Sequence, residues 1–274
     1  MYVERLPTTT QWHSKKIAKH HGFGDERGKW RLLEVEYLDP HMNMAVEEAI
    51  LLAVEKGEAP NTVRFWRNAN AVVLGCSNRV EYEVNLTACR KYNTTIVRRI
   101  TGGGTVYQDY GNLNWSITLR RNATPLPNDL LGVYEKFGNI IVKGMRALVA
   151  DVSFKPFNAI VINGKKICGM AMYSKKNSIL CHGTLLVNSE LEILSEVLNV
   201  PKKQQQSRAA KVTTLERELN TSLPLSEVKK SIIASVQKLQ DIQLEKCPFV
   251  EENLSETLYW EKYSRTEWNY GSIS

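Results

Sequence analysis

RRITGGGTVYQDYGNLNWSITLR, residues Arg98–Arg120, runs from two arginines through three successive glycines into an alternating segment. Without a Cβ, Gly102, Gly103 and Gly104 let the backbone bend sharply and bring N–H groups close to a ligand. Arg98 and Arg99 stand where a guanidinium can grip phosphate or carboxylate oxygens. Beyond the glycines, Leu113, Trp115, Ile117 and Leu119 alternate with Asn114, Ser116, Thr118 and Arg120, the pattern of a half-buried strand leaving a loop. Neither the P-loop nor the Rossmann glycine fingerprint is present. Taken alone, a triple glycine is as readily a flexible turn.

A second segment, Phe157–Asn188, reads FNAIVINGKKICGMAMYSKKNSILCHGTLLVN. Asn163-Gly164 between apolar runs predicts a hairpin, since both turn residues must take positive φ. Lys166 then lies near the start of the returning strand, either as a fixed positive charge or as a solvated edge residue. Lys165 fits the solvated role. His182-Gly183-Thr184 precedes another apolar run, and such a histidine is by itself as readily packed as catalytic.

Around these segments, residues 43–56 predict a helix, with Met44, Val46, Ile50, Leu51 and Val54 near one face. Thr62–Trp66 and Ala71–Gly75 predict short strands. Residues 130–149 and 226–240 predict helices, and Ser189 with Glu192 reads as a capping box opening another. Hairpin-paired strands interrupted by long helices imply an α+β fold with a mixed or mainly antiparallel sheet.

The 274 residues are 43% apolar and 24% charged, as in an ordinary globular chain. No apolar run is long enough to span a membrane. Five cysteines without disulfide-like or zinc-like spacing point to a reducing cytoplasm. The net charge of +7 suits acidic protein partners; no nucleic-acid-binding motif accompanies it. Residues 1–29 are polar and basic and predict a flexible arm.

Five ordered blocks together resemble the lipoate–protein ligase family, within the wider biotin/lipoate ligase and octanoyltransferase group. They are Asp39-Pro40-x-x-Asn43-Met44-Ala45-x-Glu47-Glu48, Trp66-Arg67-Asn68, the glycine stretch through Asp109-x-Gly111-Asn112-Leu113-Asn114, Gly164-Lys165-Lys166-Ile167-x-Gly169-x-Ala171, and His182-Gly183-Thr184-Leu185-Leu186. The resemblance implies a class II synthetase-like catalytic fold over residues 30–258. It implies ATP-dependent activation of lipoate to lipoyl-AMP and transfer to a lysine of a lipoyl-domain or H-protein-like acceptor. Lys166 matches the family lysine that contacts both the lipoyl carboxyl and the α-phosphate. Arg99, Gly104, Thr105, Val106 and Tyr107 match the adenylate-binding run, the last four through their backbone. Glu47, Trp66, Gly103 and His182 match the lipoate pocket. Magnesium is expected with ATP, without assignable ligands.

The chain departs from the family pattern at Gln108, Ala159, Cys168, Tyr173 and Cys181. Ala159 stands where relatives usually carry aspartate, which keeps a non-catalytic lipoate- or acceptor-binding subunit in view. Cys168 and Cys181 keep open an octanoyl or lipoyl transferase acting through a cysteine thioester from an acyl carrier. In relatives, a segment like residues 259–274 leads into a small accessory domain, here expected on a separate subunit. Tyr259, Trp260, Tyr263, Trp268 and Tyr270 are then expected to form an aromatic docking surface.

Overall fold

The computed structural model describes residues 30–149, 151–199, 212–238 and 249–271, with the backbones of Val3–Glu4 and Leu244–Lys246. The expected arm over residues 1–29 otherwise lies outside the described residues.

An eight-stranded mixed sheet forms the frame. In spatial order its strands are β13 (Leu244–Lys246), β2 (Trp30–Leu33), β4 (Asn61–Trp66), β8 (Asn112–Arg120), β12 (Ser178–Leu186), β11 (Lys165–Ser174), β10 (Ala159–Ile162) and β9 (Val152–Lys155). The pairs among β13, β2 and β4 are parallel, and those from β4 to β9 are antiparallel. A smaller sheet holds β6 (Thr95–Arg98), β5 (Ala71–Leu74) and β7 (Val106–Gln108), in that order. The glycine stretch therefore crosses over the end of the central strand β5 to join the two edges.

Helix α1, Pro40–Lys56, packs against β8 and β12 of the large sheet and β6 of the small one. It begins before the expected residue 43. Asp39 caps it by accepting from the His41 N–H, and Pro40 occupies the first turn, where its missing N–H costs nothing. Packed between two sheets, α1 buries residues around nearly its whole circumference. Helices α4 (Leu130–Arg146) and α7 (Leu225–Gln237) cover the opposite face of the large sheet, where Trp115, Ile117 and Leu119 meet Phe137, Ile141 and Ile232. The α+β expectation holds.

Three local expectations need correction. Strand β8 is buried on both faces, because α1 covers the side carrying Asn114, Ser116 and Thr118. Ser189 does not cap helix α5 (Leu191–Val197); its hydroxyl donates to Asn112 Oδ1 at 2.9 Å, while Asp109 Oδ2 accepts from the Glu190 N–H. The closing segment also packs back on the domain. Tyr263 is fully buried with its hydroxyl on Glu48, and Tyr259 donates to Asp39 at 2.8 Å. Of the five expected docking aromatics, Trp260 and Tyr270 remain exposed. No described helix is long and apolar enough to cross a membrane.

The hairpin forms as expected, with φ of 50° at Asn163 and 75° at Gly164. On β12, Gly183 lies beneath the Trp115 ring: a Cβ there would stand 2.7 Å from Trp115 Cζ2 and 2.9 Å from the Gly169 carbonyl. Gly183→Ala is therefore expected to lower stability by about 1–3 kcal/mol through overpacking. Denaturant unfolding measures this, and an unchanged midpoint would show that the strand can yield.

Candidate active site

Strand β11 contains a bulge that sets the direction of Lys166. Val161 of β10 pairs with Lys166, but the preceding Ile160 pairs with Cys168, leaving Ile167 as an extra residue. Ile167 and Cys168 accordingly both enter the core beneath α4. Lys166 and Gly169, three positions apart, come to share the opposite face instead of pointing to different ones. A Cβ on Gly169 would lie 3.2 Å from both Cε and Nζ of Lys166, so the ammonium rests over the glycine backbone.

Two rows of residues cross the sheet on that face. Trp66, Asn114, Thr184, Gly169 and Ala159 are aligned from β4 to β10. The next row holds Arg64, Ser116, His182 and Ala171. The glycine loop sits above the second row, where a Cβ built on Gly103 would lie 3.9 Å from Ala171 Cβ. Gly103 has φ of 92°, a conformation that favours glycine. Gly103 and Gly104 are exposed, whereas Arg99 beneath them is buried.

Of the adjacent arginines, Arg99 braces this loop. Arg99 donates to the carbonyls of Val73, Gly102 and Gly104 at 2.7–3.0 Å and to Thr101 Oγ1 at 2.9 Å. Its guanidinium therefore fixes the shape of the loop and puts a positive charge beneath it. Arg98 turns the other way and donates to the carbonyls of Gly75, Asn78, Trp268 and Asn269. Thr105 accepts from Asn78, and the Tyr107 ring is buried with Val72, Leu74 and Ile96. The Tyr107 side chain is thus committed to the core of the small sheet.

Glu47 and His182, expected at the lipoate pocket, form one buried chain. His182 Nδ1 is 2.9 Å from the Glu47 carboxylate, and its Nε2 is 2.8 Å from Thr101 Oγ1. Arg99 Nε can only donate to that hydroxyl, so the hydroxyl proton can turn to Nε2 and leave the imidazole hydrogen on Nδ1, facing Glu47. Arg64, fully buried, donates to Asn43 and the Val35 carbonyl and lies 4.4 Å from the centre of the Trp66 ring. Burial brings both Arg64 and Arg99 down to about 10, partly offset by attraction to Glu47, so both stay charged at neutral pH.

Thr101 and Arg64 carry no local signal of this role: Thr101 is flanked by more conspicuous glycines, and Arg64 lies within the strand Asn61–Trp66. Cys168 and Cys181 lie across the sheet from Lys166 and His182, among the core residues beneath α4. Burial pushes the Cys168 thiol up to about 12 and the Cys181 thiol well upward. Among the described residues no group of three or more His, Cys, Asp or Glu side chains could hold a metal ion.

Thr101→Val keeps the side-chain volume but removes the hydroxyl between Arg99 and His182. The expected cost is about 1–3 kcal/mol in denaturant unfolding, since two buried polar groups lose their partner. Wild-type stability in this variant would show that the chain of bonds holds nothing together.

Comparison with known proteins follows the same lines. Residues 39–237 match the family described as Lipoyl protein ligase A/B catalytic domain. Lipoate-protein ligase A subunit 1 of Thermoplasma acidophilum is 32% identical over 263 residues, covering 90% of this chain and 97% of that protein. A structure of the bi-partite lipoate protein ligase and its E2 lipoyl domain from that organism superposes with a TM-score of 0.79, at 29% identity, over 90% of this chain and 98% of the other. Lipoate-protein ligase A bound with ATP gives a TM-score of 0.79 at 28% identity, covering 90% and 100% of the two chains. Octanoyltransferase LipM of Anoxybacillus flavithermus is 26% identical over 276 residues, covering 89% and 99%. With its glycine loop, bulged lysine strand and matching domain, the chain belongs to the lipoyl protein ligase A/B catalytic domain family.

Proposed function

We propose that this chain is the catalytic subunit of a lipoate–protein ligase, working in a reducing cytoplasm. A lipoate carboxylate oxygen attacks the α-phosphorus of ATP, and the bond to pyrophosphate breaks to give lipoyl-AMP. A lysine amine of a lipoyl-domain or H-protein-like acceptor then attacks the acyl carbon. An amide forms, AMP leaves and the amine gives up a proton.

The placement of the Lys166 ammonium over Gly169, on the face roofed by the glycine loop, carries this proposal. A carboxylate and a phosphate repel each other, and one fixed cation between them offsets that repulsion and the charge growing on phosphorus. The exposed backbone of Gly103 and Gly104 can approach the adenylate, while Glu47, Trp66 and His182 border the acyl side. Magnesium, when bound with ATP, supplies further charge neutralisation. Ala159 lies directly across from Gly169, so the carboxylate common in relatives is missing beside Lys166 itself. Pocket binding and activation can thus be weighted differently here.

The likeness to an ATP-bound ligase supports nucleotide-dependent activation. Likeness to LipM is weighed against chemistry: a thioester route through Cys168 or Cys181 needs an ionised thiol within reach of the acyl carbon. Both thiols are buried on the wrong face and held protonated. The resemblance to a subunit of a bi-partite ligase supports a separate accessory protein as partner.

Pyrophosphate release and acceptor lipoylation, assayed with and without such a partner, test the proposal. Lys166→Ala is expected to lower both by about 100-fold or more while leaving the unfolding midpoint in place. Cys168→Ala and Cys181→Ala are expected to retain activity. Near-normal turnover by a folded Lys166→Ala protein would remove the lysine from the chemistry, and ATP-independent transfer from an acyl carrier would replace the ligase with a transferase.

A further inference from the structure

Lys166 has unlike neighbours on the two sides of β11. On one side β10 flanks it at Val161. On the other, β12 pairs with β11 only from Cys168 onward, and Val212 takes its place beside Lys166 in a parallel bridge. Thr213 then donates its N–H to the Lys166 carbonyl at 3.0 Å. This short segment leads into helix α6 (Leu215–Leu219), capped by Thr214, and the Glu216 N–H ties it to the Val187 carbonyl just beyond β12. The backbone that carries the ammonium is thus held between two pieces of chain far apart in sequence, at a bulge where the regular ladder is interrupted.

Glu218 of α6 joins those two pieces. Its carboxylate accepts from Asn163 Nδ2 at 3.1 Å, from Lys165 Nζ at 2.9 Å and from Thr213 Oγ1 at 2.8 Å. Asn163 belongs to the hairpin turn before Lys166, Lys165 precedes it directly, and Thr213 holds its carbonyl. None of the three donors is the Lys166 ammonium itself. The Glu218 side chain is 8% exposed, and Lys165 holds its carboxyl below the usual carboxylate range. An ionised carboxylate only accepts, and it can take several donors at once.

We propose that Glu218 is a positioning residue for Lys166, clamping the hairpin turn to residues 212–214 so that the ammonium keeps its place over Gly169 during activation of the acid. This rests on the ligase function proposed above. A lysine stem is long and flexible, so its ammonium is placed only as well as its backbone and surroundings are held. A displacement of about 1 Å at a reacting centre can cost about 100-fold in rate. Loss of the clamp leaves the cation present and the glycine loop intact. Substrate binding is then kept, and the loss falls on the step in which charge grows on phosphorus.

Steady-state pyrophosphate release by the whole chain with its accessory partner, measured for Glu218→Ala and Glu218→Gln, tests the proposal. The alanine variant is expected to lower kcat about tenfold or more, with KM for ATP and lipoate within about twofold of wild type. Glutamine keeps the shape and an acceptor oxygen, and is expected to recover most of that loss. Hydrogen exchange of the amides at residues 163–168 is expected to quicken in the alanine variant and to return toward wild type in the glutamine one. Thr213→Val, which removes one donor at nearly constant volume, serves if the alanine variant fails to fold, with a severalfold fall in kcat expected. Folded Glu218→Ala protein with wild-type kcat, or a loss confined to KM or to the unfolding midpoint, would overturn the proposal and leave the ligase function standing. Absence of pyrophosphate release from wild type, given ATP, lipoate and the partner, would overturn the ligase function and this proposal with it.

Discussion

A carboxylate at the centre of a protein is tolerated only when charge and hydrogen bonds surround it, and Glu47 meets that condition from three directions. His182 faces it from β12, while Arg64 and Arg99 contribute attraction from β4 and from the base of the glycine loop. Removing a single partner from such a group exposes the full desolvation cost, on the order of several kcal/mol. The large sheet, helix α1 and the glycine loop are consequently fixed relative to one another by one polar cluster. Apolar packing alone would hold them together without fixing their register so closely. The loop is thereby shaped before any ligand arrives, which is what electrostatic stabilisation of a transition state requires.

That cluster belongs to a wider feature, a polar sheet face buried by a helix. Asn114, Ser116, Thr118, His182 and Thr184 occupy the inner side of β8 and β12. Their alternation with leucine, tryptophan and isoleucine is the same whether that side meets water or a second layer. The sequence therefore predicts the strand and its register of side chains but not its covering. The covering helix explains the difference, since α1 has apolar and small residues around most of its circumference and needs two surfaces to pack against. Burying polar residues beneath it is costly unless they bond to one another or to a ligand.

The elements themselves were largely legible. The Asn163-Gly164 turn, the alternation through Leu119 and the apolar spacing of residues 130–146 each follow from local chemistry. Residues that act through distant contacts were less so. The bulge at Ile167 has no glycine or proline to announce it; it follows from Ile167 and Cys168 both entering the core. Yet it determines which side of the sheet Lys166 serves. Ser189 and Glu192 have the spacing of a capping box, but Asn112 takes the Ser189 hydroxyl and the Asp109 carboxylate accepts from the Glu190 N–H. A local motif gives way where a tertiary partner of the right chemistry stands closer.

The adjacent arginines show the same principle at the site. On sequence grounds both face a ligand, but consecutive residues leaving a strand point to opposite sides. Arg99 points inward and gathers the carbonyls of the glycine loop. Arg98 points outward and gathers those of the 75–78 turn and of helix α9 (Thr266–Tyr270), while Trp268 donates back to the Arg98 carbonyl at 2.9 Å. The Asn269 side chain adds an acceptor for the Arg98 N–H and a donor to the Tyr263 carbonyl. Glu48 then ties Tyr263 and Lys262 to helix α1, one residue beyond Glu47. Neighbouring carboxylates on α1 thus anchor the two sides of one arginine pair: Glu47 through His182 and Thr101 to Arg99, and Glu48 through Tyr263 and Asn269 to Arg98. Helix α1 is the common support, so displacement of the closing segment and displacement of the glycine loop strain the same turn of helix.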